Sequence, residues 1–442
     1  MKTRRQFLHS SLMGAAATWT LPAFLNSTLL HLDARAAASP IQTATGKDSP
    51  ILVVLQMAGG NDGLNTLIPH TDDAYHKARP SLALDPASVL PLNDSLALHP
   101  HLTGIRSLFD NGEAAILQGV GYPNPNRSHF RSMEIWHTAS DADKNEHHGW
   151  IGRYFDAACP GQPPTTGVNI GSMPPQAFLG PRPMGISMAS PGRYKLIEPG
   201  DIAVASARDG SLVPMMGGEE SLPGANSGSS IEGLGAAAPD DGGSNLEFLE
   251  RTALDAEISS RDIQRITGTY QPTTAYPATR LGEDLKLIAQ LIAGGLPTRI
   301  YYAHLGGFDT HAGQKPAHDR LMREFSEAVT AFTADLKAQG NFGRVLVMSF
   351  SEFGRRVAEN ASQGTDHGTA GPIFLFGGAV RPGLHGTAPS LTDLDRGDLR
   401  HHTDFRSVYA TVLQDWLGTD PTPILRRPFP TLDLIRDRRA GA

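Results

Sequence analysis

Five short, largely apolar runs, each leading into glycine or polar residues, constrain the fold of this chain more than any other feature. The first, Ile51-Leu-Val-Val-Leu55, is uninterrupted and largely β-branched, and it feeds Gly59-Gly60-Asn61-Asp62-Gly63. That order suits a parallel strand buried on both faces and followed by a tight loop. Ala114–Leu117, Arg299–Ala303, Val345–Ser349 and Ile373–Phe376 read the same way. Between the strands, apolar residues recur at helical spacing. One stripe is Leu281, Leu285, Ile288 and Ile292, closed by Gly294-Gly295; others are Met322, Phe325, Val329, Phe332 and Leu336, and Val408, Tyr409, Val412, Leu413 and Trp416. Such stripes are core faces without a functional message. Strands alternating with amphipathic helices predict an α/β fold, with a mainly parallel central sheet and helices on both faces.

The amino terminus has a different character. Thr3-Arg4-Arg5-Gln6-Phe7-Leu8 puts a twin-arginine pair before a mostly apolar stretch from Leu12 to Leu21, and small residues follow at Ala34-Arg35-Ala36-Ala37-Ala38. This pattern predicts a twin-arginine export signal over residues 1–38, engagement by the twin-arginine translocation machinery and a periplasmic or secreted location. Cleavage after Ala36 moves the formal charge from -7 to -10. An acidic mature chain argues against nucleic acid as a partner. No later segment has the roughly 18 uninterrupted apolar residues needed to cross a bilayer, so no transmembrane segment is expected in the mature protein. Cys159 is the single cysteine, which excludes an internal disulfide and leaves stability to core burial. Ala207 to Ser244, rich in Gly, Ser and Pro, reads as a surface insertion.

Ligands of open α/β sheets gather at the carboxyl ends of the strands, which directs attention to the polar residues there. Asp62 follows the first run, Asp309 and His311 follow Arg299–Ala303, Glu352 follows Val345–Ser349, and Asp366-His367 precedes Ile373–Phe376. Each alone is as readily a helix cap or a turn residue. Together, carboxylates and imidazoles converging on one rim repel unless a cation or a proton lies between them. Mixed oxygen and nitrogen donors suit zinc, manganese or iron over calcium or magnesium, and zinc or manganese is the expected divalent metal.

Seven ordered segments carry a family resemblance: Gln56–Gly63, Asn126–Trp136, Gly149–Tyr154, Gly306–His311, Ser351–Arg355, Asp366–Thr369 and Asp404–Tyr409. They resemble the domain of unknown function 1501 family of exported bacterial proteins, which is similar to a distant branch of the alkaline phosphatase and sulfatase superfamily. The resemblance implies a single alkaline-phosphatase-like α/β domain over 39–442, interrupted by the insertion at about 207–244, with a centre of one or two metal ions and a hydroxyl nucleophile. It assigns Asp62, Asp309, His311, Glu352, Asp366 and His367 to the metal, with His318 as a substitute for His311 and Asp366 unsettled. It also places Ser128 as the metal-activated hydroxyl, with Ser132 as a competitor. His129 is then the acid for the leaving group, and Arg127 with Arg131 a clamp for the anionic ester. The plainer readings are a helix cap at Ser128, solvated arginines and a surface histidine. Cys159 lacks the arginine-containing context of a sulfatase-type modified residue, and at most one of His147 and His148 can face a metal.

The resemblance thus implies an exported metal-dependent hydrolase of phosphate or sulfate esters, acting on a small anionic ester or a sulfated or phosphorylated glycan. A degenerate member of the fold, acting as a periplasmic binding or interaction protein, is the alternative, because fold alone does not settle function. Gly185-Ile-Ser187-Met-Ala189 suggests a serine esterase but lacks the strand-turn-helix setting of a nucleophile elbow.

Overall fold

The computed structural model describes residues 49–182, 184–188, 263 and 265–436; the export signal read over 1–38 and the insertion read at about 207–244 lie outside them. The apolar runs become the long strands of a nine-stranded sheet. Its strands are β1 (Ile51–Ala58), β2 (Ala114–Gly121), β3 (Gly167–Ile170), β4 (Ile186–Met188), β5 (Ile300–Gly306), β6 (Val345–Phe350), β7 (Gly371–Phe376), β8 (Gly383–His385) and β9 (Thr403–Asp404). The order across the sheet is β8-β2-β7-β6-β1-β5-β3-β4, with β9 beside β2. β1 is central and parallel to both neighbours, Val53 lying opposite Tyr301 and Val347. Only β7 runs against its neighbours β2 and β6; the remaining pairings in this sheet are parallel.

Alternate residues of β1 feed two cores, as the period of a strand requires. Ile51, Val53, Leu55 and Met57 join one cluster with residues of α1 (Thr103–Asp110), α4 (Arg280–Ala293) and α5 (Gln314–Ala338). Leu52 and Val54 join another with α2 (His129–Thr138), α3 (Trp150–Ala158) and α6 (Phe405–Thr411). The sheet is therefore covered by helices on both faces. The stripes read from the sequence are those buried faces: Leu285, Ile288 and Phe325 line the first core, Val408, Tyr409 and Trp416 the second. α4 starts where Thr279 accepts a hydrogen bond from Gly282 N–H, an N-cap that satisfies an otherwise orphan donor. Ser187 lies within β4, beside Asn169 of β3, and not on a turn, so no nucleophile elbow forms there.

The reversal of β7 positions the site. Gly371 pairs with Val120 near the end of β2, while Phe376 pairs with Ala114 at its start. The entrance of β7 thus shares a rim with the exits of β1, β5 and β6. Residues before β7 meet residues after the others.

Phe325, fully buried on α5, should be among the costly truncations. Phe325→Ala is expected to lower unfolding stability by about 3–5 kcal/mol, read as a fall in the urea midpoint.

Candidate functional site

Two buried side chains of the loop after β6 hold the rim together. Glu352 is fully buried; its Oε1 accepts the Gly59 N–H at 2.8 Å and lies 2.9 Å from His129 Nδ1. Its carbonyl accepts Ser132 Oγ–H at 2.5 Å. Arg355 is also buried, and its guanidinium donates to the carbonyls of Gly59 (2.5 Å), Gly60 (2.7 Å), Phe308 (2.8 Å) and Thr365 (2.8 Å) and to Asp309 Oδ1 (2.8 Å). The loops after β1, β5 and β6 and the approach to β7 are thereby tied to one planar cation, a geometry lysine cannot reproduce. Glycine completes the fit: Gly59 has φ +119, and a Cβ there would lie 2.5 Å from Asp309 N. A side chain at that position would be strained and would push apart the loops after β1 and β5.

Three imidazoles surround Asp309 in one common orientation. His129 turns Nδ1 to Glu352 and Nε2 to within 3.4 Å of Asp309 Oδ1. His367 places Nδ1 2.8 Å from the Arg127 carbonyl and Nε2 3.1 Å from Asp309 Oδ1. His311 places Nδ1 3.4 Å from Asp366 Oδ1 and Nε2 3.1 Å from Asp309 Oδ1. The Nε2 atoms of His311 and His367 are 2.9 Å apart. Each ring thus has an acceptor outside and the same oxygen inside. The outer acceptors select the tautomer with the proton on Nδ1, which turns the Nε2 lone pairs inward.

Lone pairs facing one another around a carboxylate oxygen need positive charge between them. The hydrogen bond to Glu352 raises the His129 imidazole above its ordinary value; burial opposes this, and the Glu352 and Asp309 charges reinforce it. Burial pushes the Asp309 carboxyl up, but hydrogen bonds from Arg355 and His367 and the charges of Arg355 and His129 outweigh it, holding the group well below the usual carboxylate range. His129 Nε2 is buried and has no hydrogen-bond partner among the described residues. One ligand atom each from His129, Asp309 and His367 lie within 4.8 Å of one another, a group able to hold a metal ion. Imidazole nitrogens with a carboxylate oxygen fit zinc or manganese chemically, and the outer acceptors are the partners that metal-bound histidines normally have.

The structure brings together Asp309, His311 and His367, and adds His129. Other candidates are placed differently. Asp62 is the buried anion of an ion pair with Arg79 at 2.6 Å and also accepts from Gln314; a carboxylate so occupied is not at the imidazole cluster. Glu352 and Asp366 touch ring Nδ1 atoms, so they orient histidines and do not reach the centre. His318 lies buried on α5 beside Asn61 and Thr66, burial pushing it down to about 4, and does not stand in for His311. Arg131 points away from the cluster, its guanidinium on Glu134 and the carbonyls of Asp141, Ala142 and Lys144; it pins a loop and is no ester clamp. Arg127 is paired with the buried Asp398. Ser132 is buried against Tyr122 and the Glu352 carbonyl, which removes it as a competing nucleophile. Ser128 occupies the N-cap position of α2, yet its exposed side chain makes no capping bond. Arg355 had no role in the sequence reading; its place in Ser351-Glu-Phe-Gly-Arg355 was the available signal.

Two changes should separate ring orientation from loop anchoring. Glu352→Gln keeps the shape but not the charge, and is expected to weaken zinc binding about 10–100-fold in a chelator competition. Arg355→Lys leaves several buried carbonyls without donors and should cost about 3 kcal/mol or more in denaturant unfolding.

Solved structures similar in outline include the PsFucS1 sulfatase from Pseudoalteromonas sp., 12% identical with a TM-score of 0.38 over 93% of this chain and 75% of that one. Another is the lipoteichoic acid synthase LtaP from Listeria monocytogenes, at 10% identity and TM-score 0.36 over 89% and 78%. A third is an alkaline phosphatase superfamily protein from Vibrio parahaemolyticus, at 9% identity and TM-score 0.37 over 88% and 72%. Likeness at this level carries no chemistry across to the present chain. No curated protein matches it by sequence. Residues 251–429 match the family described as Protein of unknown function (DUF1501), and over that stretch, which holds Asp309, His311, Glu352, Asp366 and His367, the chain carries that family's sequence.

Proposed function

We propose that the chain is an exported, metal-dependent hydrolase of phosphate or sulfate esters, acting in the periplasm or beyond. The observation that carries this reading is the shared orientation of His129, His311 and His367, with Nδ1 outward and Nε2 facing Asp309. Their Nε2 atoms and the Asp309 carboxylate would hold a divalent ion, zinc or manganese by donor type. Such an ion, when bound, supplies positive charge for a nonbridging ester oxygen and acidifies an attacking hydroxyl or water.

The chain's own groups supply the rest. Ser128 stands between Arg127, whose carbonyl holds His367, and His129, with its hydroxyl uncapped and exposed. It is the hydroxyl best placed to attack, and attack needs activation because a free serine is a poor nucleophile. Arg127, tethered to Asp398 yet part exposed, has donors to spare for an anionic oxygen. Glu352 keeps His129 in register. The buried Arg355 keeps Asp309 ionised.

One observation favours a second reading, a binding protein without turnover. Arg355 donates to Asp309 Oδ1, the same oxygen the imidazoles face, and a guanidinium there competes with a metal ion for it. Metal content of the purified protein, followed by assay on 4-nitrophenyl phosphate, bis(4-nitrophenyl) phosphate and 4-nitrophenyl sulfate, discriminates the two. Turnover should vanish with chelation and in Asp309→Ala and His367→Ala, and Ser128→Ala should lower kcat by about 100-fold or more. Bound metal without turnover supports the binding protein. Turnover that persists through chelation ends the metal-dependent reading.

A further inference from the structure

A cavity of about 190 Å³ lies between the loop after β2 and the 395–401 segment. Asn124 and Pro125 line it from the first, Asp395, Arg400 and His401 from the second, and Thr369 from the strand entrance between His367 and β7. It is joined to the imidazole cluster on two sides. The Asn124-Pro125 turn runs on to Arg127, whose carbonyl holds His367, and Thr369 is a near neighbour of His367 in the chain. Its volume is below the roughly 300–1,000 Å³ of sites for drug-sized ligands, which leaves room for a single ring.

The lining selects among small rings by what it lacks as much as by what it has. Asp395 and Arg400 carry opposite charges, so the cavity favours neither a cation nor an anion by net charge. Asn124 offers both a donor and an acceptor. His401 does the same as a neutral imidazole, burial pushing it below its ordinary value. Donors and acceptors in alternation match groups that donate and accept at once, which hydroxyls do. Pro125 adds a small apolar face for ring C–H groups. The backbone is also unusual here: Asn124 (φ 54) and Arg396 (φ 55), on the two flanking loops, both lie in the left-handed region. Asparagine tolerates that conformation and arginine much less, and backbone held in such a state is commonest beside functional sites.

We infer that this cavity receives a hydroxylated ring, the sugar that carries the ester presented to the neighbouring centre. The inference rests on the ester-hydrolase reading for the role of the ring, and its test is read in binding so that the two can fail separately. Calorimetric titration of the full chain would use glucose 6-phosphate, galactose 6-sulfate and N-acetylglucosamine 6-sulfate, each against inorganic phosphate or sulfate. At least one sugar ester is expected to bind about tenfold or more tightly than its inorganic anion. Asp395→Ala combined with Arg400→Ala, both exposed and outside the imidazole cluster, should erase that advantage and leave the inorganic anion's affinity unchanged. Sugar esters binding no better than their inorganic anions, or an advantage that survives the double substitution, would overturn the inference. Sugar-ester binding without hydrolysis supports the cavity assignment while removing the enzyme; hydrolysis of aryl esters without sugar-ester preference does the reverse.

Discussion

A carboxylate with no exposed surface, Glu352, is the constraint from which the rim is built. Burying a charge is costly unless it is fully bonded, and Glu352 is bonded to the Gly59 N–H, with the His129 ring beside the same oxygen. These partners come from the exit of β1 and the start of α2, elements far apart in sequence. Arg355, three residues on, performs the complementary task with five acceptors for its five N–H groups. Anion and cation together close the loops into one frame, and the imidazoles inherit their orientation from it.

Topology determines which residues can reach that frame. In a wholly parallel sheet the segment before a strand lies at the rim opposite the segments after the others. β7 is antiparallel, and its entrance at Gly371 lies by the end of β2. His367 and Asp366 therefore arrive where Asp309, His311 and Glu352 leave. The bridge between Arg355 and His367 fixes the approach.

Burial separates the acidic residues into structural and chemical classes. Asp62 and Arg79 are both sealed from solvent, so neither charge is free for a ligand. Asp309 is about half exposed, at 48% of its side chain, and meets several nitrogens without being closed off. A carboxylate of that second kind can exchange a proton or a cation with solvent. The polar cavity beside His367 extends the same open side of the rim.

Much of the architecture is legible in the sequence, because buried strands and helix faces write their periods into it: Ile51–Leu55 reads as a strand and Leu285, Ile288 and Ile292 as a helix face without any partner in view. The short strands β3, β4, β8 and β9 carry too few apolar residues for such a signal. At the site, residue position is similarly visible, since a polar residue after a buried strand must lie at the carboxyl rim. What each such residue touches is not. Asp62 and Asp309 follow β1 and β5 in equivalent fashion, and only the packing of Arg79 against one and of three imidazoles around the other makes them different. Sequence alone determined an α/β chain with acids and histidines along one edge of its sheet. Tertiary structure decided which nitrogen of each ring turns inward, because that depends on outer acceptors contributed by segments tens to hundreds of residues away.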